Sequence, residues 1–191
     1  MAGDVFLRTF FAVEITDAAR RAAAELAGRL AEEPGGDAVR WVRTEAYHVT
    51  LRFLGDTPIS RLGEIVASVQ RASAHLAPLE LRLGALEGLP NARRPRVVVI
   101  DVEPREPLAG LAAAVERGVV AAGFAREERP FHAHLTLGRV HHGRRAPLLR
   151  GRCEAVPFTV DSLVLFRSDP APDGAHYTVL ERIALEGRSS P

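Results

Sequence analysis

The chain has no lysine: all 25 of its basic residues are arginine. That absence removes whole classes of chemistry, because a P-loop, a Schiff-base enzyme and a ligase working through a lysyl-adenylate all need a lysine amine. A GC-rich coding sequence is a sufficient origin for the bias, and the exclusions hold whatever its origin. Cysteine is nearly absent too; Cys153 stands alone, so there is no intramolecular disulfide framework and no cysteine-built zinc site. No apolar run reaches the roughly 18 to 20 residues needed to span a bilayer, and MAGDVFLRTFFAVEI lacks a basic leader and a small-residue cleavage site. It reads as a first strand, and the cytoplasm is the expected location. Net charge is only +1, too little for a strong general binder of nucleic acid.

What is present is a folded composition: 191 residues, 47% apolar and 26% charged, enough for one large core or two small lobes sharing one. Residues 5–14 alternate as a strand. Thr16 or Asp17 then caps a helix with the stripe Ala19, Ala22, Ala23, Leu26 and Leu30, stopped by Pro34-Gly35-Gly36. A short strand at Val39–Val42 leads into a strand over 47–55. Thr57-Pro58 is expected to open a second helix, with apolar positions at Ile59, Leu62, Ile65, Val66 and Val69. The order then repeats: a strand at 97–100, a helix through Leu108, Leu111, Val115 and Val119 ending at Gly123, a short strand near Phe124, and a strand over 133–140. Strands at 79–86, 156–167 and 176–185 complete the chain, with a Pro/Gly-rich turn at 168–174. This duplication predicts an α+β protein of two similar lobes, each an antiparallel sheet with helices outside, related by a pseudo-two-fold about a central cleft. Residues 1–191 would form a single bilobal domain.

The two strands at matching points of the repeat carry the same phrase. His48-Val49-Thr50-Leu51 opens HVTLRFLG, and His134-Leu135-Thr136-Leu137 opens HLTLGRV. In a strand, residues two apart share a face, so His48 and Thr50 should line the cleft while Val49, Leu51 and Phe53 pack inward, and His134 and Thr136 should do likewise from the other lobe. A single H-x-T is an ordinary strand pattern; two at equivalent places are not. Histidine titrates near ~6.5, so one neutral and one protonated imidazole can serve as base and acid near neutrality. Threonine hydroxyls can donate to phosphoryl oxygens as charge builds there, with no metal or other cofactor.

HVTLRFLG and FHAHLTLGRV resemble the paired H-x-T-x motifs of the two-histidine phosphoesterases. RTFFAVEI, WVRTEAYHVTLRFLG, RPRVVVIDV and LFRSDPAPDGAHYTVLERIAL narrow the resemblance to the RNA 2',3'-cyclic phosphodiesterases, the 2'-5' RNA ligase-like proteins, over nearly the whole chain. The resemblance implies His48 as proton donor and His134 as acceptor. It departs at Ala133, where the family often has proline, a difference in strand entry rather than chemistry.

Arg139 ends the second motif, where the family tends to have arginine, but strict alternation sets it opposite His134. Arg52 falls on the His48 face by the same rule and is the second candidate phosphate ligand. Among aromatics that could stack a base, Phe11 and Tyr177 are the candidates retained, beside Trp41 and Phe131, for which no role is assigned; core packing competes strongly for Phe11 and Phe131. Residues 139–152 hold Arg139, His141, His142, Arg144, Arg145, Arg150 and Arg152 with no acid, and could follow an RNA backbone, although charged loops are usually only solvated. The pair His132 and His134 could bind metal but lacks carboxylates at nearby positions in sequence, and no metal is expected.

The expected activity is opening of a terminal 2',3'-cyclic phosphate on RNA 3' ends or nucleotides to a 2'-phosphate, by a monomer away from membranes. The resemblance alone implies that regiochemistry. The alternatives are a 2'-5' RNA ligase or 2'-5' phosphodiesterase, and a silent module that binds RNA ends.

Overall fold

A computed structural model of the chain describes residues 4–147, 149–172 and 174–187. Among them, strands β1 (Phe6–Glu14), β3 (His48–Pro58), β8 (Ser162–Asp169) and β9 (His176–Ala184) form one sheet in the order β3-β1-β8-β9. The second sheet has the order β2-β6-β5-β4-β7, from β2 (Val39–Trp41), β4 (Leu79–Leu89), β5 (Val97–Glu103), β6 (His134–Val140) and β7 (Pro157–Val160). Every pairing is antiparallel. The expected α+β architecture of two related lobes is what forms. In each, a strand that feeds a helix lies beside a histidine strand: β1 beside β3, and β5 beside β6.

The helices are α1 (Asp17–Glu32), α2 (Leu62–Ser73) and α3 (Arg105–Ala121). Thr16 caps α1 through its hydroxyl, which accepts from the Ala19 amide, and the buried alanines and leucines of α1 lie toward the second sheet, against β4, β6 and β7. Helices α2 and α3 pack on each other and on the first sheet. Gly118 makes their close approach possible, since a Cβ there would sit 2.5 Å from the Val69 Cα.

Three expected elements differ, each for a reason of pairing. The segment 156–167 is not one strand: it breaks at Asp161, so that β7 pairs with β4 and β8 crosses to pair with β1. The expected strand near Phe124 is absent, the segment between α3 and β6 being irregular, and β2 from the first half takes the place beside β6. The second helix starts at Leu62 rather than at Thr57-Pro58. Thr57 is instead fully buried in β3, hydroxyl to hydroxyl with Thr9 at 2.9 Å, and Ile59 lies exposed in a 3-10 turn.

One hydrophobic cluster draws on both sheets, from Phe11, Val13, Val49 and Leu165 of the first to Leu83, Ile100, Leu135 and Phe158 of the second. A smaller cluster of Phe10, Ala12, Val164 and Phe166 covers the other face of the first sheet, with Tyr177 against it. That second cluster becomes the floor of the site.

Candidate functional site

A cavity of about 1070 Å³ opens between the sheets, and His48, Thr50, His134, Thr136, Arg139 and Tyr177 line it. Both histidines are fixed by the same local device. The Nδ1–H of His48 donates to the Ala46 carbonyl at 2.8 Å, and that of His134 donates to the His132 carbonyl at 2.7 Å. A ring whose Nδ1 carries the proton presents Nε2 as its basic atom, so both rings are tautomerically set before any ligand arrives. His48 Nε2 accepts from the Thr50 hydroxyl at 3.1 Å.

Arg20 of α1 braces the first device. Its guanidinium donates to the carbonyls of Thr44 (2.9 Å), Tyr47 (3.3 Å) and Ile15 (3.3 Å), clamping the turn that supplies Ala46 to His48. Nothing in the sequence pattern singles it out, because its three acceptors are backbone atoms brought together only by the fold.

The two rings have different neighbours. His48 lies on the aromatic floor, 4.9 Å from Phe10 and edge-on to Tyr177 at 4.9 Å. Burial pushes its pKa down to about 4, with His134 and Arg20 adding to the fall and the Ala46 hydrogen bond opposing it. His134 stands in a polar wall: the His132 ring is 5.4 Å away, and Glu87 lies 3.5 Å from His132. Burial lowers the His134 pKa as well, and the carboxylate of Glu87 works against that shift.

Bulges explain where alternation misplaces a residue. In β6, Thr136 faces Val99 and Gly138 faces Val98, so one extra residue is inserted and the phase reverses beyond it. Arg139 therefore joins His134 and Thr136 in the cavity wall, where strict alternation sets it on the opposite face. In β3 the partners run Ala12–Thr50, Phe11–Arg52, Phe10–Phe53 and Thr9–Gly55, which inserts Leu51 and Leu54 as extras. Phe53 is thus 53% exposed beside the floor, 5.4 Å from Phe10, rather than in the core.

Two expected ligands are corrected by the same geometry. Arg52 reaches the outer wall of the cavity already engaged: it donates to Glu116 at 2.6 Å, to the Ala125 carbonyl at 2.6 Å and to the Phe53 carbonyl. Its charge is spent holding α3 and the following loop to β3, so it is not a ready phosphate ligand. Phe11 is 0% exposed inside the main cluster and cannot stack a base; its neighbour Phe10 underlies His48 instead. The aromatic that alternation hides is Phe53, and Tyr177 remains at the cavity edge. Phe131 is half-buried against the core and lines the cavity, while the Trp41 indole donates to the Gly36 carbonyl. In the basic segment, Arg144 pairs with Asp37 and Arg152 with Glu103, so those two charges are largely neutralised in place.

Glu87, Asp101 and His132 each place a ligand atom within 4.8 Å of the others. Carboxylates do therefore stand beside the H-x-H, supplied by β4 and β5, where sequence proximity indicates none. The cation they hold is Arg105, whose guanidinium binds both oxygens of Asp101, itself 3% exposed, and reaches Glu87 at 3.3 Å. A metal would have to displace that guanidinium. Cys153 is buried with its thiol pKa raised by burial, which makes it a poor nucleophile.

The two-sheet fold with paired histidine strands around one cleft defines a phosphoesterase architecture, and sequence comparison places it further. The LigT like Phosphoesterase family matches twice, over residues 13–99 and 100–177, one match for each half of the repeat. The chain belongs to that family. It is 32% identical over 190 residues to an RNA 2',3'-cyclic phosphodiesterase of Thermus thermophilus, covering 95% of this chain and 91% of the relative. A protein of the same name from Geobacillus stearothermophilus is 29% identical over 165 residues, and the match spans only 52% of that relative's length. Among solved structures, TT0787 of Thermus thermophilus superimposes with a TM-score of 0.83 at 30% identity, over 96% of this chain and all (100%) of that one. Among the described residues, no helix is long and apolar enough to cross a membrane.

Proposed function

We propose that the chain hydrolyses the terminal 2',3'-cyclic phosphate of RNA or a nucleotide to a 2'-phosphate, acting as one bilobal unit with His48 and His134 as its acid and base. The observation that carries this reading is the matched pair of imidazoles on facing strands, each with Nδ1–H tied to the carbonyl two residues back and Nε2 left for proton transfer. In-line displacement at phosphorus needs a base on one side of the phosphate and an acid on the other, which is what two strands facing across one cleft supply. The names of the relatives agree with this activity.

In this scheme His134 Nε2 takes a proton from water as its oxygen bonds to phosphorus. The bond from phosphorus to O3' breaks, and O3' takes the proton of His48 Nε2. Thr50, Thr136 and Arg139 hold the non-bridging oxygens, where charge grows. Because burial keeps His48 neutral in the empty site, it must take up a proton from solvent as the substrate binds, the negative charge of the phosphate favouring the imidazolium. Thr50 then turns its hydroxyl from His48 to the phosphate.

The test is product analysis after incubation with 2',3'-cyclic nucleotides and with RNA ending in a cyclic phosphate. A 2'-phosphate as the sole product is expected. A 3'-phosphate would reverse the placement of the leaving oxygen, joined strands would indicate ligation, and no turnover of any cyclic phosphate would overturn the reading.

A further inference from the structure

Beside the histidine cavity lies a second groove of about 340 Å³, sharing Val42, Ala46, Phe53, Arg139 and Tyr177 with it. Four arginines line it, Arg8, Arg40, Arg43 and Arg139, and no described lining residue is acidic. Arg40 and Arg139 are direct cross-strand partners between β2 and β6. Directly opposed like charges on one face of an antiparallel pair destabilise the sheet, and among the described residues neither has an acidic partner. An anion between them would remove that cost. Arg8 lines the groove together with Arg139 and Tyr177, and the latter two are shared with the cavity, so the groove's charge continues to the edge where the two meet. The walls add Trp41, held by its hydrogen bond to the Gly36 carbonyl, and the exposed ring of Phe53.

We propose that this groove binds the next phosphodiester of an RNA strand whose terminal phosphate sits between His48 and His134, with Arg40 and Arg8 as its ligands and the aromatic walls beside the intervening base. The inference rests on the proposed function for the position of the terminal phosphate. It makes the preferred substrate an oligonucleotide rather than a mononucleotide. The guanidinium pairs suit a phosphodiester by geometry, and aromatic walls suit a base without regard to its identity. Bridging the two sites requires a chain with at least one internal phosphate, so a mononucleotide cannot use the groove.

The test compares a nucleoside 2',3'-cyclic phosphate with a trinucleotide ending in one, on the intact protein and on Arg40→Gln and Arg8→Gln. The trinucleotide is expected to have about tenfold higher kcat/KM on the intact protein. Each substitution should remove most of that advantage while mononucleotide turnover stays within about twofold. The salt dependence of trinucleotide turnover should weaken as each phosphate contact is lost. Fluorescence anisotropy with a labelled trinucleotide ending in a 2'-phosphate, against competition by a nucleoside 2'-phosphate, reads the groove without turnover. Selective weakening of the trinucleotide in Arg40→Gln supports the groove even if no cyclic phosphate is hydrolysed, in which case only the proposed activity falls. Equal loss for short and long ligands, or no loss for either, overturns the proposal.

Discussion

The two histidine strands do the same thing to their imidazoles and surround them differently. In both, a carbonyl two residues earlier accepts from Nδ1–H, so sequence repetition has become repetition of a tautomer. Around that common device, His48 has an aromatic floor from β1, β8 and β9 and the Thr50 hydroxyl on Nε2, whereas His134 has the His132 ring beside it, the Glu87 carboxylate of β4 beyond that ring, and Arg139 in the same cavity wall. Identical side chains are given different surroundings, an aromatic floor under one and polar, charged neighbours beside the other. Acid and base roles can thus diverge on a duplicated scaffold without any change in the motif.

Removing either ring should have the largest effect. His48→Ala and His134→Ala are each expected to lower kcat about 10² to 10⁴-fold with folding retained, measured by steady-state turnover and circular dichroism. The double variant should be little worse than the worse single one, since the pair acts as a unit. Near-normal turnover in either single variant would remove that histidine from the mechanism.

The threonines should separate the two strands. Thr50→Val and Thr136→Val should each slow turnover about 10 to 100-fold with smaller effects on ground-state binding. Only Thr50→Val should also alter the titration of the neighbouring ring, because Thr50 bonds His48 Nε2. Matching effects on both rings in an NMR titration would erase the distinction between the strands.

A smaller effect is expected from opening the aromatic floor. Tyr177→Ala admits water beside His48, so its pKa should rise from about 4 toward the ordinary 6.5, by about one unit. The reciprocal change, Glu87→Gln, should lower the His134 pKa further, since that carboxylate favours the imidazolium. Nitrogen-15 shifts of the rings followed against pH would register both directions.

The smallest effect is on stability. Since the folded pKa of His48 is depressed, the unfolded chain takes up its proton first as pH falls below about 6.5, and stability drops until about pH 4, where the folded ring also titrates. Above 6.5 this group contributes no pH dependence. In His48→Gln, urea midpoints between pH 6.5 and 4 should fall less steeply than in the intact protein; parallel slopes would mean that the ring is not held neutral by burial.

Much of this was legible in the sequence because it is local. The cap at Thr16, the stripes of α1 and α3, and the shared face of His48 with Thr50 follow from periods of 3.6 and 2. What was not legible is where the period slips. Inserted residues at Leu51 and Leu54, and in β6 before Gly138, exchange the faces of Arg52, Phe53 and Arg139, and a bulge is defined by the partner strand rather than by its own sequence. Phe11 was the expected ring and Phe10 is the one beneath His48 for a related reason: both lie in β1, and only the cross-strand register says which of them meets His48. Arg20 and the pair of Glu87 with His132 were hidden because their partners are distant in the chain.

The most direct test of a two-histidine mechanism with unequal rings is the pH dependence of kcat/KM for a 2',3'-cyclic nucleotide, which reports the free enzyme. With both imidazole pKa values depressed, a bell with its maximum below about pH 6.5 is expected. His48→Ala should lose the limb that falls as pH rises, and His134→Ala the limb that rises with it. A profile that climbs with hydroxide throughout, or a bell unchanged by removing either ring, would contradict the account.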